Sequence, residues 1–345
     1  MTKMLSGWDI GGAHIKVARC DSQGHLIHVI QVPCPLWQGI EQLEQAIESV
    51  FEQLNNQNDL AAITMTGELV DIFADRQAGV AGILACLSTY IPADNMLVYA
   101  AELGWLAPNQ AAQQWQHIAS RNWQASATLV AQTISEGVFV DIGSTTCDII
   151  PLRSNMAVPQ ECDDFGRQTS RELLYTGAIR TPLIALSQTA PFNGQLISLA
   201  AEVFATTGDC WRLLGKISPS TIQDTSADGQ PWEVNDCASR IARLLGTDSS
   251  QAEHKQWVGL AQWFAEKQSH QIANALLQVI SAHSKLPSDA PLIGAGVGRF
   301  IVKECANRLN RPYIDFHDVI SSSDNCASDH APAVAVALLA KQKLP

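Results

Sequence analysis

The sequence predicts an α/β protein of two lobes, and three observations support this prediction. The chain has 345 residues, which is more than one hydrophobic core usually organises. Strand-like and helix-like apolar patterns alternate along it, as in proteins whose sheets are covered by helices. A short motif occurs twice, because residues 7–18 and 138–149 both place Asp-Ile-Gly at the end of an apolar run. Each copy continues with small residues and a second apolar run, a pattern typical of a β-hairpin.

The repeat also predicts the domain boundary. Asp9 and Asp141 occupy the same place in the two copies, so each would open one lobe with the same hairpin. We therefore predict a first lobe over 1–135, closed by a C-terminal helix over 328–345, and a second lobe over 136–327. No Gly/Ser-rich linker lies between the two, which indicates a change of fold unit rather than a flexible tether.

Hydrophobic periodicity predicts the other elements in order. Apolar residues at helical spacing predict helices over 40–54, around 80–90, and over 196–214, 235–245, 251–284 (one long or kinked region) and 334–339. Short apolar runs predict buried strands over 61–66, 96–101 and 291–296, the last running into a glycine turn. This alternation favours the α/β class.

Composition limits the classes of function. Apolar residues make up 46% of the chain and charged residues 16%, which favours a packed interior over disorder. The formal charge of -12 argues against a nucleic-acid partner, since such proteins concentrate Lys and Arg. We also expect no membrane span, because none of the apolar runs approaches the roughly 20 residues that crossing requires.

The N-terminus carries no export signal pattern, and the nine cysteines include no C-x-x-C pair. Scattered, unpaired cysteines suit reduced thiols, so we expect a cytoplasmic protein. Small phosphorylated ligands remain compatible with the negative charge, because backbone amides and a divalent cation can bind them.

The first hairpin contains a candidate phosphate and metal site. Gly11, Gly12 and Ala13 form a turn in which the glycines allow close approach of a ligand to backbone N–H groups. The carboxylate of Asp9, just before the turn, can hold Mg²⁺ directly or through water, and Lys16 can add positive charge. The alternative is an ordinary hairpin with a solvent-facing aspartate.

The second hairpin repeats this arrangement with more hydroxyl groups. Asp141 precedes Gly143, and Ser144, Thr145 and Thr146 add hydroxyl donors that suit a phosphate. Asp148, on the adjoining strand, is a further candidate for the metal. Ser and Thr also occur in plain turns, which is the alternative. Two such hairpins in one chain favour a phosphate site shared by the two lobes.

A third glycine-rich segment follows the predicted strand at 291–296. Gly294, Gly296 and Gly298 alternate before a helix, a pattern that can hold a nucleotide at the helix N-terminus. Alternating glycines also permit close packing of a strand against a helix, and a lone match of this kind is weak support for a ligand.

These three segments, in this order, resemble the actin-like ATPase superfamily, whose fold is ribonuclease H-like with an interlobe cleft. The resemblance implies that the hairpins hold phosphates, that Asp9 and Asp141 organise Mg²⁺, and that the late glycine turn meets adenosine. This chain departs from the usual adjacent Gly-Gly pair, since Ala295 separates its glycines. Whether ATP binds therefore stays open.

A closer resemblance covers nearly the whole chain. It rests on four markers, at 64–69 together with 73–76, 121–123, 175–182 and 228–232. In these markers the sequence is similar to hydantoinase/oxoprolinase-related proteins of tetrahydromethanopterin-linked one-carbon metabolism. Archaeal relatives resemble the methanofuran-pathway synthase that joins an aminomethylfuran diphosphate to a glutamyl-tyramine phenol. The resemblance thus implies displacement of diphosphate from a furfuryl carbon by a phenol oxygen.

Two further residues could take part in such chemistry. Glu68 follows a predicted buried strand and is a candidate catalytic base or amine-binding carboxylate, although a helix-capping or surface acid would look the same. Arg180 lies before Thr181-Pro182 and could grip a phosphate or a substrate carboxylate through two parallel hydrogen bonds. A structural ion pair is the alternative for Arg180.

The preferred interpretation is a Mg²⁺-dependent transferase that acts on a small phosphorylated substrate and releases diphosphate. The main rival is an ATP-dependent hydrolase or kinase of the hydantoinase/oxoprolinase type. A third alternative is a non-catalytic nucleotide-gated module. The sequence leaves the phenolic acceptor and the oligomeric state open, and a homo-oligomer is compatible with it.

Overall fold

The computed structural model describes residues 3–322, 324 and 326–344. The strands, in chain order, are β1 Leu5–Ile10, β2 His14–Cys20, β3 Leu26–Pro33, β4 Leu60–Met65, β5 Met96–Tyr99, β6 Trp105–Leu106, β7 Glu136–Ile142, β8 Cys147–Arg153, β9 Met156–Ala157, β10 Leu173–Leu174, β11 Thr189–Phe192, β12 Gln195–Ser198, β13 Leu292–Ala295 and β14 Tyr313–Asp315.

The α-helices are α1 Glu41–Leu54, α2 Arg76–Tyr90, α3 Pro108–Ala111, α4 Asn122–Ala131, α5 Asp164–Ser170, α6 Leu183–Leu186, α7 Thr207–Leu213, α8 Val234–Leu244, α9 His254–Ala282, α10 Arg299–Arg308, α11 Phe316–Val319, α12 Cys326–Asp329 and α13 Ala331–Ala340. In the part of the chain that the structure describes, we find no helix with both the length and the apolar composition needed to cross a membrane.

The chain divides into two compact units. The first contains the described residues up to 135, residues 152–157 and those from 316 onward, and the second contains 136–151 and 158–315. The predicted second lobe, 136–327, is therefore too long at its C-terminal end. The chain leaves the second unit directly after β14, the edge strand of its sheet, so α11 and α12 belong to the first unit together with α13. The predicted end of the closing helix at 345 lies outside the described residues.

The two units have the same strand order around their opening hairpins. Within the described residues, the sheet of the first unit has the order β3-β2-β1-β4-β5-β6, and that of the second has β10-β8-β7-β13-β14. In each unit the first strand lies beside its hairpin partner on one side and a parallel strand on the other, β4 for β1 and β13 for β7. The α/β class and the repeated hairpin are confirmed.

The sheet of the first unit is covered by helices on both faces. Trp8 and Ile10 belong to the hydrophobic cluster that contains α1 and α2, whereas Leu5 packs with the alanine-rich helix α13. Alternate residues of a strand point to opposite faces, so Gly7 and Asp9 share the face of Leu5. A Cβ on Gly7 would lie 2.0 Å from the carbonyl oxygen of Ala333. Helix α13 can therefore approach β1 only because this position is glycine.

The predicted helix over 196–214 is wrong. Residues 195–198 form β12, which pairs antiparallel with β11, and only α7, from Thr207 to Leu213, is helical in that range. The two strands are joined by Asn193 and Gly194, both with positive φ (50° and 77°). Asn-Gly between two apolar runs is a strong local signal for a two-residue hairpin turn, and helical periodicity overlooked it. The other predicted helices and strands are present, with ends shifted by a few residues.

Two glycine-to-alanine substitutions should have opposite effects on stability. Gly7→Ala should destabilise the protein by about 3 kcal/mol or more, because the new methyl group meets the backbone of α13 and the helix must shift. Gly259→Ala, in the exposed middle of α9 where nothing lies within 4 Å of the new Cβ, should stabilise it by about 0.5–1 kcal/mol. Urea unfolding of both variants gives the measurement, and equal effects would contradict the packing described for β1 and α13.

Candidate active site

The turn of the first hairpin is fixed by backbone contacts. The amide N–H of Gly11 donates to the carbonyl oxygen of His14 at 3.0 Å, and the carbonyl oxygens of Gly12 and Ala13 accept from the amides of Leu36 and Cys34. A Cβ on Gly12 would lie 2.8 Å from the side chain of Val70. The predicted glycine turn is thus a tightly packed loop, in which a larger residue at position 12 would displace its neighbour.

Asp9 is buried, with 2% of its surface exposed, so the alternative of a solvent-facing aspartate is wrong. Lys16 lies opposite Asp9 in the hairpin, and its Nζ is 3.7 Å from Asp9 Oδ2. The other oxygen, Oδ1, makes no hydrogen bond with any residue that the structure describes. Burial raises the pKa of Asp9, whereas Lys16 and the side chain of Asn122, at the start of α4, act in the opposite direction. The site thus contains a buried carboxylate oxygen without a donor, which fits a hard cation such as Mg²⁺.

Glu68 is placed beside the same turn. It lies on a 3₁₀ turn, Gly67–Leu69, directly after β4, and is 1% exposed. A Cβ on Gly67 would be 3.2 Å from the backbone of Gly11, so the two turns are in contact. The hydroxyl of Ser120 donates to Glu68 Oε1 at 2.9 Å. The structure therefore brings Glu68 to the first turn and gives one of its oxygens a fixed donor.

Ser120 was not predicted from the sequence. Its φ of 55° is in the left-handed region, which is uncommon for a residue other than glycine. It directly precedes the Arg121-Asn122-Trp123 marker, and Asn122 in turn approaches Asp9. Only the marker indicated that this segment mattered, because nothing in a single serine reveals a partner more than fifty residues earlier in the chain.

The second hairpin carries an equivalent turn in the second unit. The amide of Gly143 donates to the carbonyl oxygen of Thr146 at 3.0 Å, and residues 143–146 are half-buried. Asp141 is the second-last residue of β7 and is 9% exposed. A Cβ on Gly296 would lie 2.4 Å from Asp141 Oδ1. Since Gly296 also has a φ of 80°, it is the residue type that both the backbone and the carboxylate of Asp141 require.

A segment of the Tyr175–Pro182 marker covers this second turn. The amide of Ala178 donates to the carbonyl oxygen of Gly143, and the amides of Ile179 and Arg180 both donate to that of Ser144, at 2.8–3.1 Å. A Cβ on Gly177 would be 2.3 Å from the backbone of Ser144. The backbone of Arg180 is therefore hydrogen-bonded to the turn, and its side chain is exposed. Both features are compatible with the predicted role in phosphate binding.

Gln268 holds this segment in place and was missed by the sequence analysis. It is fully buried in α9, and its Nε2 donates to the carbonyl oxygen of Gly177 at 2.7 Å and to Thr176 Oγ1 at 3.1 Å. Its Oε1 accepts from Trp211 Nε1 at 2.8 Å. Helical periodicity singles out apolar residues, so it gave no reason to select a glutamine on the buried side of α9.

Asp148 has a structural partner. Its Oδ1 accepts from Arg167 Nη2 at 2.8 Å, and this arginine is 1% exposed and also donates to the carbonyl oxygen of Glu172. Burial raises the pKa of Asp148, and the Arg167 guanidinium opposes that rise. Asp148 thus forms an ion pair that joins β8 to the segment before β10, and its predicted metal-binding role stays a prediction.

The late glycine segment is accounted for by packing. A Cβ on Gly294 would meet the ring of Tyr313 at 2.7 Å, and one on Gly298 would meet the side chain of Ile142 at 2.4 Å. The amide of Gly298 also donates to the carbonyl oxygen of Ile142. These glycines allow β14 and the start of α10 to approach their neighbours, so their presence needs no nucleotide.

The structure groups the predicted residues separately in each unit. In the first unit, Asp9, Lys16, Glu68 and the 11–13 turn are neighbours; in the second, Asp141, Arg180, Gly296 and the 143–146 turn are neighbours. Among the described residues, no three His, Cys, Asp or Glu side chains gather into a metal cluster. Proteins commonly bind Mg²⁺ through one or two carboxylates, leaving its other positions to water and phosphate, and the aspartate in each unit suits that mode.

The repeated strand order and the paired hairpins define a protein of the actin-like ATPase fold. A solved structure with this likeness is acetone carboxylase in its nucleotide-free form, with a TM-score of 0.56 and 9% sequence identity over 90% of this chain and 68% of that chain. The chain belongs to the hydantoinase/oxoprolinase family, whose sequence profile matches residues 59–343. The family predicted from the motifs is confirmed, and so is the predicted fold.

Two curated relatives are archaeal enzymes with the same name, (4-{4-[2-(gamma-L-glutamylamino)ethyl]phenoxymethyl}furan-2-yl)methanamine synthase. That of Methanocaldococcus jannaschii is 27% identical over 350 residues, covering 100% of this chain and 99% of the relative. That of Methanococcus vannielii is 28% identical over 222 residues, covering 63% of this chain and 97% of the relative. Since both relatives are synthases, these similarities support an enzymatic role for this chain.

Removing the Gln268 amide should loosen the segment over the second turn. Gln268→Leu leaves the Trp211 N–H without its acceptor in a buried position and should destabilise the protein by about 1–3 kcal/mol. Hydrogen exchange at the amides of residues 178–180 should become faster. Gln262→Leu, on the same helix but exposed, is the matched control and should leave both quantities nearly unchanged. Unaltered exchange at 178–180 in Gln268→Leu would contradict the role assigned to Gln268.

Proposed function

We propose that this protein is a transferase that joins a furfuryl-type (aminomethylfuran) diphosphate to a phenolic acceptor and releases diphosphate. The product would be a precursor of a methanofuran-like one-carbon carrier. The main support is similarity along the whole chain to a synthase whose product name describes a phenoxymethyl-furan. Such a product contains an ether between a phenol oxygen and a furan-bound carbon. Forming that ether by displacement requires a leaving group on the carbon, and diphosphate suits the two turns.

The proposed reaction is a substitution at the CH₂ carbon attached to the furan ring. The phenol oxygen supplies an electron pair for the new C–O bond, and the C–O bond to the diphosphate breaks with its electron pair on the leaving oxygen. The phenol proton passes to a base. The furan ring stabilises positive charge that develops on the carbon, so the main demand on the protein is to stabilise negative charge on the diphosphate.

The residues of the two turns meet this demand. In the second unit, the backbone of the 143–146 turn, the hydroxyls of Ser144, Thr145 and Thr146, and the side chain of Arg180 are the proposed diphosphate contacts. The first unit has candidate phosphate contacts of its own, the 11–13 turn and Lys16. Mg²⁺ bound at Asp9 or Asp141 would supply additional charge neutralisation for the leaving group. The observation that supports the cation is the buried oxygen of Asp9, Oδ1, with no donor among the described residues.

Glu68 is the proposed base for the phenol. Its carboxylate is held beside the first turn by Ser120, which fixes one oxygen and restricts the rotation of the side chain. A carboxylate positioned in this way can accept the phenol proton as the new C–O bond forms. Ser120 would then be a positioning residue, since it acts on Glu68 rather than on the substrate.

Membership of the hydantoinase/oxoprolinase family favours one alternative, an ATP-dependent hydrolase or kinase. The two proposals differ in their products. A transferase releases diphosphate in the absence of ATP, whereas the alternative consumes ATP and releases ADP with orthophosphate or a phosphorylated product.

The decisive experiment incubates an aminomethylfuran diphosphate with tyramine or γ-glutamyl-tyramine and Mg²⁺, with and without ATP. We expect diphosphate and the aryl ether in equal amounts without ATP, measured by a coupled diphosphate assay and by mass spectrometry. Asp9→Asn and Asp141→Asn should each lower kcat by about 100-fold, since each weakens charge stabilisation of the leaving group. Asp71→Asn is the control, because Asp71 is an exposed acid that follows Val70, whose side chain lies beside Gly12. Turnover that requires ATP would exclude the transferase proposal.

Substitution of Glu68 should separate catalysis from binding. Glu68→Gln keeps the shape of the side chain and an acceptor for Ser120, so we expect kcat to fall by about 100-fold or more while KM for both substrates stays nearly constant. Ser120→Ala should give a smaller fall in kcat. A kcat within a few-fold of the wild type in Glu68→Gln would rule out Glu68 as the base.

A further inference from the structure

A second buried oxygen lies beside Asp9, on the neighbouring strand. Thr64 is fully buried near the end of β4. Its hydroxyl, Oγ1, makes no hydrogen bond with any residue in the described part of the chain. Buried hydroxyl groups almost always have a partner, because leaving one unsatisfied is unfavourable. A threonine at this position therefore needs an explanation that valine, which has the same shape without the hydroxyl, would not need.

The strand register places this hydroxyl next to the Asp9 carboxylate. Asp9 and Thr64 are directly paired in the parallel arrangement of β1 and β4, and adjacent strands are about 4.8 Å apart. Paired residues point to the same face of the sheet. This is the face that carries Leu5, Leu60 and Ala62, which pack in the cluster containing α13. Two oxygens with no described donor thus lie side by side on one face.

Lys16 is on the other side of Asp9. It is the antiparallel partner of Asp9 on β2, so Lys16, Asp9 and Thr64 form a row across three adjacent strands. Lys16 approaches Oδ2 of the carboxylate and accounts for part of its negative charge. Asn122 also approaches the Asp9 carboxylate, but neither Asp9 Oδ1 nor the Thr64 hydroxyl has a hydrogen-bond partner within the described residues.

We propose that Thr64 supplies the second protein oxygen of the Asp9 cation site. The ligand would be a hard divalent cation such as Mg²⁺ or Mn²⁺, held by Asp9 Oδ1 and the Thr64 hydroxyl directly or through its water shell. Carboxylate and hydroxyl oxygens are the donors that such cations prefer. The inference rests on the proposed function only in that this cation would be the one assisting diphosphate binding. A buried water molecule would also occupy two such oxygens, and the experiment below distinguishes it.

Direct binding of Mn²⁺ to the substrate-free protein tests the assignment. Isothermal titration calorimetry, or electron paramagnetic resonance of free Mn²⁺, should show binding to the wild type and none to Asp9→Asn. Thr64→Val should bind Mn²⁺ at least about tenfold more weakly, whereas Thr64→Ser, which keeps the hydroxyl, should bind within a few-fold of the wild type. Ile63→Val changes the same strand on its opposite face and should not affect binding.

Thermal unfolding without metal provides an independent readout. Because Thr64→Val removes an unsatisfied buried hydroxyl and keeps its volume, the metal-free variant should be at least as stable as the wild type. Addition of Mn²⁺ should raise Tm of the wild type more than that of the variant. If Thr64→Val does not fold, Thr64→Ala removes the same hydroxyl with less bulk and is measured in the same way.

The outcomes separate this inference from the proposed function. Wild-type Mn²⁺ affinity in Thr64→Val would overturn the role of Thr64, identify its hydroxyl as a water site, and leave the transferase proposal intact. Absence of Mn²⁺ binding to the wild type would overturn both the Thr64 assignment and the metal component of the proposed function. A weaker affinity shared by Thr64→Val and Ile63→Val would also overturn the assignment, since it would indicate a general disturbance of β4.

Discussion

Burial of the Asp9 carboxylate is the constraint on which the first unit depends. An ionised carboxylate out of water is unfavourable unless positive charge or hydrogen-bond donors surround it. The fold meets this requirement only in part, through Lys16 on the next strand and Asn122 at the start of α4. The neighbouring helix α13 can pack over the same face because Gly7 has no side chain. The part of this requirement that the fold leaves unmet, at Asp9 Oδ1, is the feature that supports the proposed cation.

The two units have equivalent turns that are covered by different residues. Each places a carboxylate at the end of its first strand and brings a glycine from a distant segment into contact with the turn that follows. In the first unit that glycine is Gly67, which also leads into Glu68; in the second it is Gly177, which leads into Arg180. The repeated hairpin thus provides equivalent turns, while the covering segments add an acid in one unit and a base in the other.

Local signals in the sequence were sufficient to predict most helices and strands and the turns of both hairpins. The Asp-Ile-Gly repeat predicted both hairpins, and apolar periodicity predicted α1, α2, α8 and the strands β4, β5 and β13. The error at 196–214 arose because helical spacing of apolar residues was given more weight than the Asn-Gly turn signal. The return of the chain to the first unit was predicted, but it begins at 316 rather than 328, because its start depends on where the second sheet ends, which is a tertiary property.

Contacts between distant residues decided the rest of the site and were not visible in the sequence. Asp148 has the residue type and position of a metal ligand, yet its Oδ1 accepts a hydrogen bond from Arg167. Gln268 and Ser120 act through hydrogen bonds to residues 91 and 52 positions away, and one sequence without aligned relatives contains no sign of such pairs. The glycines at 294, 296 and 298 lie in close contact with Tyr313, Asp141 and Ile142, which agrees with the packing alternative, while their role in nucleotide binding stays a prediction.

The net charge of -12 makes the placement of the cationic groups informative. A chain with this excess of acids repels a diphosphate at long range, so affinity has to come from short-range contacts at the turns. Backbone N–H groups and a divalent cation provide such contacts without adding to the formal charge of the chain. Lys16 lies 3.7 Å from Asp9 Oδ2, so in the proposed site it would stay beside the carboxylate while the cation occupied Oδ1. The cation and the ammonium would then both attract the proposed diphosphate, and binding of the cation and binding of the diphosphate would favour each other.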